Sequence, residues 1–175
     1  MYTFEEVVES SKKYFGGDEL AANVFATKYA LVSKDGSFLE KNPNDMHKRI
    51  ASEFARIESN YPNPMSESEI YSLLEGFKYV VPQGSPMSGI GNTNQIQSLS
   101  NCFVVEAPQD SYGGILKTDQ EQVQIMKRRG GVGFDISTIR PKGMITSNAA
   151  KTTDGIEVFL DRFSNSCREV AQGGR

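Results

Sequence analysis

The sequence predicts an α/β protein in two parts, an all-α domain over residues 1–80 and a mixed domain of strands and helices over residues 81–175. Apolar residues recur at helical spacing through the first part, and most helices there begin at a recognisable cap. The β-branched run Tyr79-Val80-Val81 then marks a change of character. Apolar and alternating runs that are typical of strands follow it, so the domain boundary is placed near residue 80.

Bulk composition limits the function. With 19 Lys and Arg against 22 Asp and Glu, the net charge of -3 gives no basic field, so nucleic-acid binding is disfavoured. No apolar run reaches the roughly 18 residues of a membrane span, and the acidic start is unlike a signal peptide. A soluble, cytoplasmic protein is therefore expected. Cys102 and Cys167 stand apart from each other and from any histidine, which predicts neither a zinc site nor a structural disulfide.

Two helices are predicted at the start of the chain. Thr3 and Glu6 have the spacing of a capping box, and the helix that they begin ends at Gly16-Gly17. Asp18 has the chemistry of an N-cap and begins a second helix, because its carboxylate can accept from the first free backbone N–H groups. The apolar residues of this second helix are Leu20, Val24 and Leu31.

Two further helices complete the first domain. His47, the only histidine, lies beside Lys48 and Arg49 in the third helix and is expected on a solvated face. The fourth helix begins at the capping box Ser66-x-x-Glu69. The apolar stripes of these two helices are Met46, Ile50, Phe54 and Ile57 in the third and Ile70, Leu73, Leu74 and Phe77 in the fourth.

A strand and a helix open the second domain. The apolar run CFVVEA indicates a buried strand, with Cys102 at the point where it leaves a polar segment. Thr118-x-x-Glu121 has the spacing of a capping box and predicts the start of a helix that ends at Gly130-Gly131.

A second strand and a long helix follow. Val132, Phe134 and Ile136 alternate with small or polar residues, which predicts a strand with two different faces. Asp154-x-x-Glu157 marks the start of the last helix. Its apolar stripe consists of Ile156, Phe159, Leu160, Phe163, Cys167 and Val170.

Three segments could have a chemical role, and the residues alone leave each one open. The thiol of Cys102 could emerge at the junction of loop and sheet, or the residue could be a small buried hydrophobe, as Cys167 is expected to be on its helix. The glycine-rich stretch over residues 128–134 could let backbone N–H groups approach a phosphate, or it could be a turn. Arg140 and Lys142 could clasp a phosphate, or they could form an ordinary exposed turn.

The segments SPMSGIGNTNQIQSLSNCFVVEAPQDS, KRRGGVGFDISTIRPKG, NAAKT, DRFSN and REVAQGGR occur in this order in the chain. Together they resemble the ribonucleotide reductase catalytic subunit, a resemblance that covers about residues 81–175. DELAANVFATKYAL and MHKRIASEFARIE resemble the helical N-terminal region of the same family. The resemblance implies that the second domain is the first part of a ten-stranded α/β barrel.

The resemblance also implies a reaction. In this family a thiyl radical abstracts the 3′-hydrogen of a ribonucleotide, water leaves from C2′, and a cysteine pair supplies the reducing equivalents. Cys102 matches the first cysteine of that pair, which a thioredoxin or glutaredoxin system would reduce again. Ser85, Asn101 and Gly131 match positions near the substrate.

A regulatory site is implied as well. Asp110, Ser111 and Tyr112 match the allosteric specificity site, where a dNTP or ATP effector binds. Arg140 resembles part of the first specificity loop, where its guanidinium would meet an effector phosphate. The start of the second specificity loop, which senses the effector base, is matched by Gln172, Gly173, Gly174 and Arg175.

The family places its thiyl cysteine, its second redox cysteine and its substrate-phosphate loop beyond the residues of this chain. The chain is therefore expected to need the C-terminal part of the same enzyme, and a split gene joined by an intein through protein splicing is one hypothesis. The completed enzyme is expected to be a homodimer. By itself, the chain is expected to expose Ile156, Phe159, Leu160 and Phe163 and to associate.

Two alternatives concern the radical source and the role of the chain. The sequence of the segment RRGGVGFDISTIRPKG and the lack of an ATP-cone-like stretch favour the adenosylcobalamin-dependent, class II branch. The alternative is the class I branch, in which a di-metal partner subunit generates the radical. A different class of function is a non-catalytic nucleotide-binding regulatory or assembly module.

Overall fold

The computed structural model describes the backbone of residues 1–174 and the side chains of residues 1–170. It divides into two compact units, Met1–Leu99 and the residues from Ser100 onward. This division lies further along the chain than the boundary near residue 80 that the sequence suggests. The reason is a short helix over Gly84–Gly89, which packs against the helix Pro43–Glu58 of the first unit. This contact keeps the residues that follow position 80 in the first unit.

The first unit is helical. Its elements are α1 (Phe4–Tyr14), α2 (Glu19–Lys28), α3 (Pro43–Glu58), α4 (Glu67–Leu74), a 3₁₀ turn (Glu75–Phe77) and α5 (Gly84–Gly89). The second unit contains β1 (Cys102–Val104), α6 (Tyr112–Met126), β2 (Gly131–Gly133) and α7 (Ile156–Gly174). A helical unit followed by a mixed strand-and-helix unit is the predicted order. None of the described helices is long and apolar enough to cross a membrane.

The predicted helix starts of the first unit are confirmed. The Thr3 hydroxyl accepts from the backbone N–H of Glu6 at 3.2 Å, and the Glu6 carboxylate accepts from the backbone N–H of Thr3 at 2.9 Å. Ser66 and Glu69 form the same reciprocal pair, and Asp18 caps α2. Each cap satisfies N–H groups that the first helical turn leaves free. The end predicted for α2 was wrong, because Leu31 lies beyond Lys28.

The core of the first unit lies between α1, α2, α3 and α4. Leu20, predicted on the apolar face of α2, is instead 76% exposed. Phe54, Ile57 and Leu73 lie at the margins of their stripes and stay partly exposed. The buried residues of the core are Val7, Phe25, Ala26, Met46, Ile50, Ala51, Ile70 and Leu74.

His47 is fully buried, so its predicted place on a solvated face was wrong. The 3₁₀ turn after α4 packs on this side of α3, and the ring of Phe77 meets the imidazole edge-on at 4.6 Å. Neither imidazole nitrogen has a hydrogen-bond partner among the described residues. Burial therefore lowers the pKa of His47 below its ordinary value of 6.5, and the negative charge of Glu75 opposes this only in part.

In the second unit, β1 and β2 form a parallel pair joined by α6. Phe103 is half-buried, and its ring lies beside Gly130 together with Ile125, whereas Cys102 and Val104 are exposed, Val104 by 90%. The prediction of a buried strand was therefore wrong, because α6 covers only one face of the two-stranded sheet. β2 ends at Gly133, so that Phe134 lies beyond it and packs into a small core with Ile115, Ile136, Ile139, Phe159 and Phe163.

Helix α6 begins earlier than predicted. The Ser111 hydroxyl accepts from the backbone N–H of Gly114 at 3.1 Å and caps the helix at Tyr112. Thr118, the predicted cap, lies inside α6 and is buried. This start was not predicted because the Gly113-Gly114 pair has a low helix propensity. Glycine is required at position 114, because a Cβ there would lie 2.6 Å from the carbonyl oxygen of Gln109.

Helix α7 covers the small core of the second unit. Four residues of this helix were expected to be exposed. Of these, Leu160 is exposed, at 45%, Ile156 and Phe159 are half-buried, and Phe163 is buried. The expectation was wrong for Phe163 because Phe134 packs on its ring at 4.7 Å and Gln122 donates to its backbone carbonyl at 3.0 Å.

The burial of His47 predicts a pH-dependent stability. The unfolded imidazole takes up a proton near pH 6.5, whereas the folded one resists it, so stability should be complete above that pH and should fall as the pH is lowered. Because His47 is the only histidine, its NMR signal reports its pKa directly. Replacing it with Phe should weaken the pH dependence of urea unfolding between about pH 7 and about pH 5. A His47 pKa at or above 6.5 would contradict this prediction.

Candidate functional site

The first cluster of predicted site residues lies at the start of the parallel pair. Cys102 is the first residue of β1 and stands opposite Gly131, the first residue of β2. The Gly131 N–H donates to the carbonyl oxygen of Asn101 at 2.6 Å. Cys102 is exposed and is a free thiol. The structure therefore brings Asn101, Cys102 and Gly131 together with an accessible sulfur, as a thiol that reacts with a substrate or another thiol requires.

The glycine-rich stretch before β2 has a packing role. A Cβ at Gly130 would lie 2.5 Å from Cγ2 of Ile125 and 2.8 Å from the ring of Phe103, so glycine lets the chain turn tightly against the sheet. Arg129 has a positive φ of 69° in the same turn. These contacts favour the turn over a phosphate cradle at Gly130, whereas Gly133 borders open space.

Ser85, the remaining residue predicted near the substrate, belongs to the first unit. It lies in the first turn of α5 and is buried. The helix itself was not predicted, because Gly84, Ser85 and Pro86 suggested a turn at a domain boundary. Proline is tolerated in a first helical turn, where its missing N–H would have no partner.

The second cluster forms a pocket at the N-terminal end of α6. Asp110, Ser111, Tyr112 and Arg140, all predicted from the sequence as effector residues, line the same open cavity of about 210 Å³. The rest of the lining consists of Ile115, Thr146, Ser147, Asn148, Thr153 and Phe159.

An ion pair lies in this pocket. Nε of Arg140 donates to Oδ2 of Asp110 at 2.5 Å, and its terminal nitrogens donate to the carbonyl oxygens of Ile145 at 3.0 Å and Asp110 at 3.4 Å. A guanidinium has five N–H groups, so two remain for a ligand. The Asp110 carboxylate therefore fixes the orientation of a cation that keeps part of its donor capacity.

An aromatic pair and a loop form other parts of the wall. The rings of Tyr112 and Phe159 meet edge-on at 5.8 Å, which gives the pocket an apolar surface beside its charged one. Residues 144–153 form a loop closed by the bridge between Ile145 and Thr152. The segment NAAKT of this loop carries part of the family resemblance, but the sequence predicts no role for Asn148, because its place in the pocket depends on the fold of the loop.

Other predictions fall at the end of the chain. The predicted start of the second specificity loop comprises Gln172, Gly173 and Gly174, whose side chains lie outside the described residues, as does Arg175 entirely. Cys167 is half-buried on α7 and is a free thiol. Within the described part of the chain, no cluster of three or more His, Cys, Asp or Glu residues could hold a metal ion.

Two domain models of one family match the chain in succession. The ribonucleotide reductase all-alpha domain matches residues 15–93, and the ribonucleotide reductase barrel domain matches residues 100–175. These ranges agree with the two units of the structure, and together they cover most of the chain. The order of the domains is the one that the sequence predicts.

Curated relatives agree with the domain models. The chain is 34% identical over 149 residues to the ribonucleoside-diphosphate reductase large chain of Neurospora crassa, a match covering 82% of this chain and 14% of that protein. It is 32% identical over 109 residues to the ribonucleoside-diphosphate reductase large subunit of Monkeypox virus, covering 62% of this chain and 14% of the relative. The chain thus spans a small part of the length of these relatives. It belongs to the ribonucleotide reductase large-subunit family, with the all-alpha domain followed by residues of the barrel domain.

Proposed function

We propose that this chain binds a dNTP effector and supplies one redox thiol in a reductase that converts ribonucleotides to deoxyribonucleotides. The observation that carries the proposal is the pocket of Asp110, Ser111, Tyr112 and Arg140 at one end of α6. Near the other end of the same helix, β2 begins beside Cys102. The names of the relatives support a ribonucleoside diphosphate as the substrate.

The thiol chemistry follows from an accessible cysteine with a partner supplied by another part of the enzyme. Two thiols give up two electrons and two protons when they close a disulfide. These replace the C2′ hydroxyl of the ribose by hydrogen and release that hydroxyl as water. Cys102 is one of the two thiols in this proposal, and a thioredoxin or glutaredoxin system restores the pair after each turnover. The completed reductase acts as a homodimer.

The pocket chemistry suits a nucleoside triphosphate. Arg140 offers two N–H donors to phosphate oxygens, and its contact with Asp110 holds those donors in one orientation. The pair Tyr112 and Phe159 offers apolar surface to a base. Because α6 leads from this pocket towards β2, movement of its N-terminal end on effector binding is a route to the neighbourhood of Cys102.

Effector binding is tested by equilibrium dialysis of this chain with dNTPs. Arg140→Lys keeps the positive charge but loses the fork of N–H donors, so we expect the dissociation constant to rise by about tenfold. Arg128→Lys is the matched control, because Arg128 donates to Gln124 at the exposed end of α6 and does not line the pocket. Equal affinity of the two variants would contradict the proposed site.

The thiol role is tested in the complete reductase that contains this chain. Cys102→Ser is nearly isosteric but cannot form a disulfide, so ribonucleotide reduction should be abolished while dNTP affinity is retained. Cys167→Ser, the other free cysteine, should keep full reduction. Reduction by the Cys102 variant would refute the assignment. Effector binding by a wild-type protein that never reduces ribonucleotides would instead support the non-catalytic module.

The radical source remains a separate prediction. The sequence favours adenosylcobalamin, which would supply the radical to the complete enzyme, and no residue of this chain is assigned as its ligand. The fungal and viral relatives are named a large chain and a large subunit, names that imply a smaller partner and so favour the alternative, in which a di-metal partner subunit generates the radical. Activity of the complete reductase measured with and without adenosylcobalamin separates the two, and an unchanged rate would reject the cobalamin prediction.

A further inference from the structure

Arg49 of α3 is buried in an ion pair. Its Nε donates to Oε1 of Glu40 at 2.6 Å, and the two side chains are only 10% and 5% exposed. Oε2 of Glu40 accepts from the backbone N–H of Leu31 at 2.8 Å. Both carboxylate oxygens are therefore satisfied, which a buried ion pair requires if it is not to destabilise the fold.

The rest of the guanidinium is directed at α5. One terminal nitrogen of Arg49 donates to the carbonyl oxygen of Met87 at 2.8 Å, and the other donates to the carbonyl oxygen of Ile90. Carbonyls at a helix C-terminus have no partner within the helix, and a cation placed there is stabilising. Arg49 thus caps the C-terminal end of α5 from a neighbouring helix.

The backbone that follows α5 lies in close contact with the Arg49 side chain. Gly91 has a φ of +72°, a conformation that favours glycine. A Cβ at Gly91 would lie 2.9 Å from Cγ of Arg49 and 3.4 Å from its carbonyl oxygen. The backbone therefore passes directly over Arg49, which fixes the end of α5 in space.

Helix α5 needs such an anchor. It has six residues, and isolated helices shorter than about 12 residues are marginal in water. Within it, the Ser88 hydroxyl donates to the carbonyl oxygen of Gly84 at 3.0 Å and accepts from the Gln97 side chain at 3.0 Å. Arg49 adds two hydrogen bonds at the C-terminal end of the same helix. Ser85 lies in the first turn of this helix.

We propose that Arg49, oriented by Glu40, is a positioning residue that sets the place of Ser85 for its contact with the ribonucleotide. This inference rests on the proposed function and on the family resemblance, which implies that Ser85 lies near the ribonucleotide. A guanidinium serves all three acceptors because its N–H groups diverge in a rigid plane. An ammonium at the same position keeps the charge facing Glu40 but cannot reach Met87 and Ile90 in the same way.

The test compares Arg49→Lys with Arg56→Lys in the complete reductase. Arg56 lies on the same helix and is paired to Glu53, but its side chain is 68% exposed, so it controls for the chemical change alone. We expect Arg49→Lys to raise KM for the ribonucleotide by about tenfold and to change kcat less, because a displaced Ser85 loses binding contacts. The Arg56 variant should match the wild type in both constants.

Two further readouts distinguish positioning from a general loss of structure. Hydrogen exchange should quicken at residues 84–91 of the Arg49 variant but not in α1, and dNTP affinity, which reports on the second unit, should be unchanged. If Arg49→Lys does not fold, Gly91→Ala displaces the Arg49 side chain while keeping its charge, and the same rise in KM is expected.

The outcomes are separable. An unchanged KM in a folded Arg49 or Gly91 variant, beside an active wild type, overturns the positioning role and leaves the proposed function intact. Equal losses of substrate and effector affinity also overturn it, because they indicate general unfolding. A wild-type reductase that does not reduce ribonucleotides overturns the proposed function, and this inference with it.

Discussion

The parallel pairing of β1 with β2 is the constraint on which the second unit depends. Two parallel strands cannot be joined by a tight turn, so the chain must cross over the sheet, and here α6 provides the crossover. The helix packs on the face that holds Phe103, which leaves Cys102 on the open side. The same crossover places the residues before α6 at a distance from the strand starts, and the pocket forms there.

Polar contacts between α6 and α7 hold the pocket in shape. The Asp119 carboxylate accepts from Nε of Arg162 at 3.1 Å, and Gln122 donates to the backbone of Phe163. Because Asp119 and Gln122 are buried on α6, loss of either partner would leave a polar group without compensation. These contacts set α7 against α6 so that Phe159 meets Tyr112 at the wall of the pocket.

Buried polar groups of the first unit also need partners. Its apolar core is continuous across four helices, but Arg49 and Glu40 lie among half-buried groups and need every acceptor and donor around them. Such a pair contributes little net stability compared with apolar residues of the same size. The pair instead favours one arrangement of the backbone, because three separate segments of the chain must meet before its donors and acceptors all have hydrogen-bond partners.

The sequence by itself determined the features that depend on near neighbours. Capping boxes at Thr3 and Ser66 act over three residues, so their spacing alone predicts the helix starts. The motif resemblance alone predicts four residues that the fold brings to one pocket, Asp110, Ser111, Tyr112 and Arg140. Tertiary structure decided the burial of His47, the anchoring of Arg140 by Asp110 and the place of α5. These depend on contacts between residues far apart in the chain, which local propensity and periodicity do not contain.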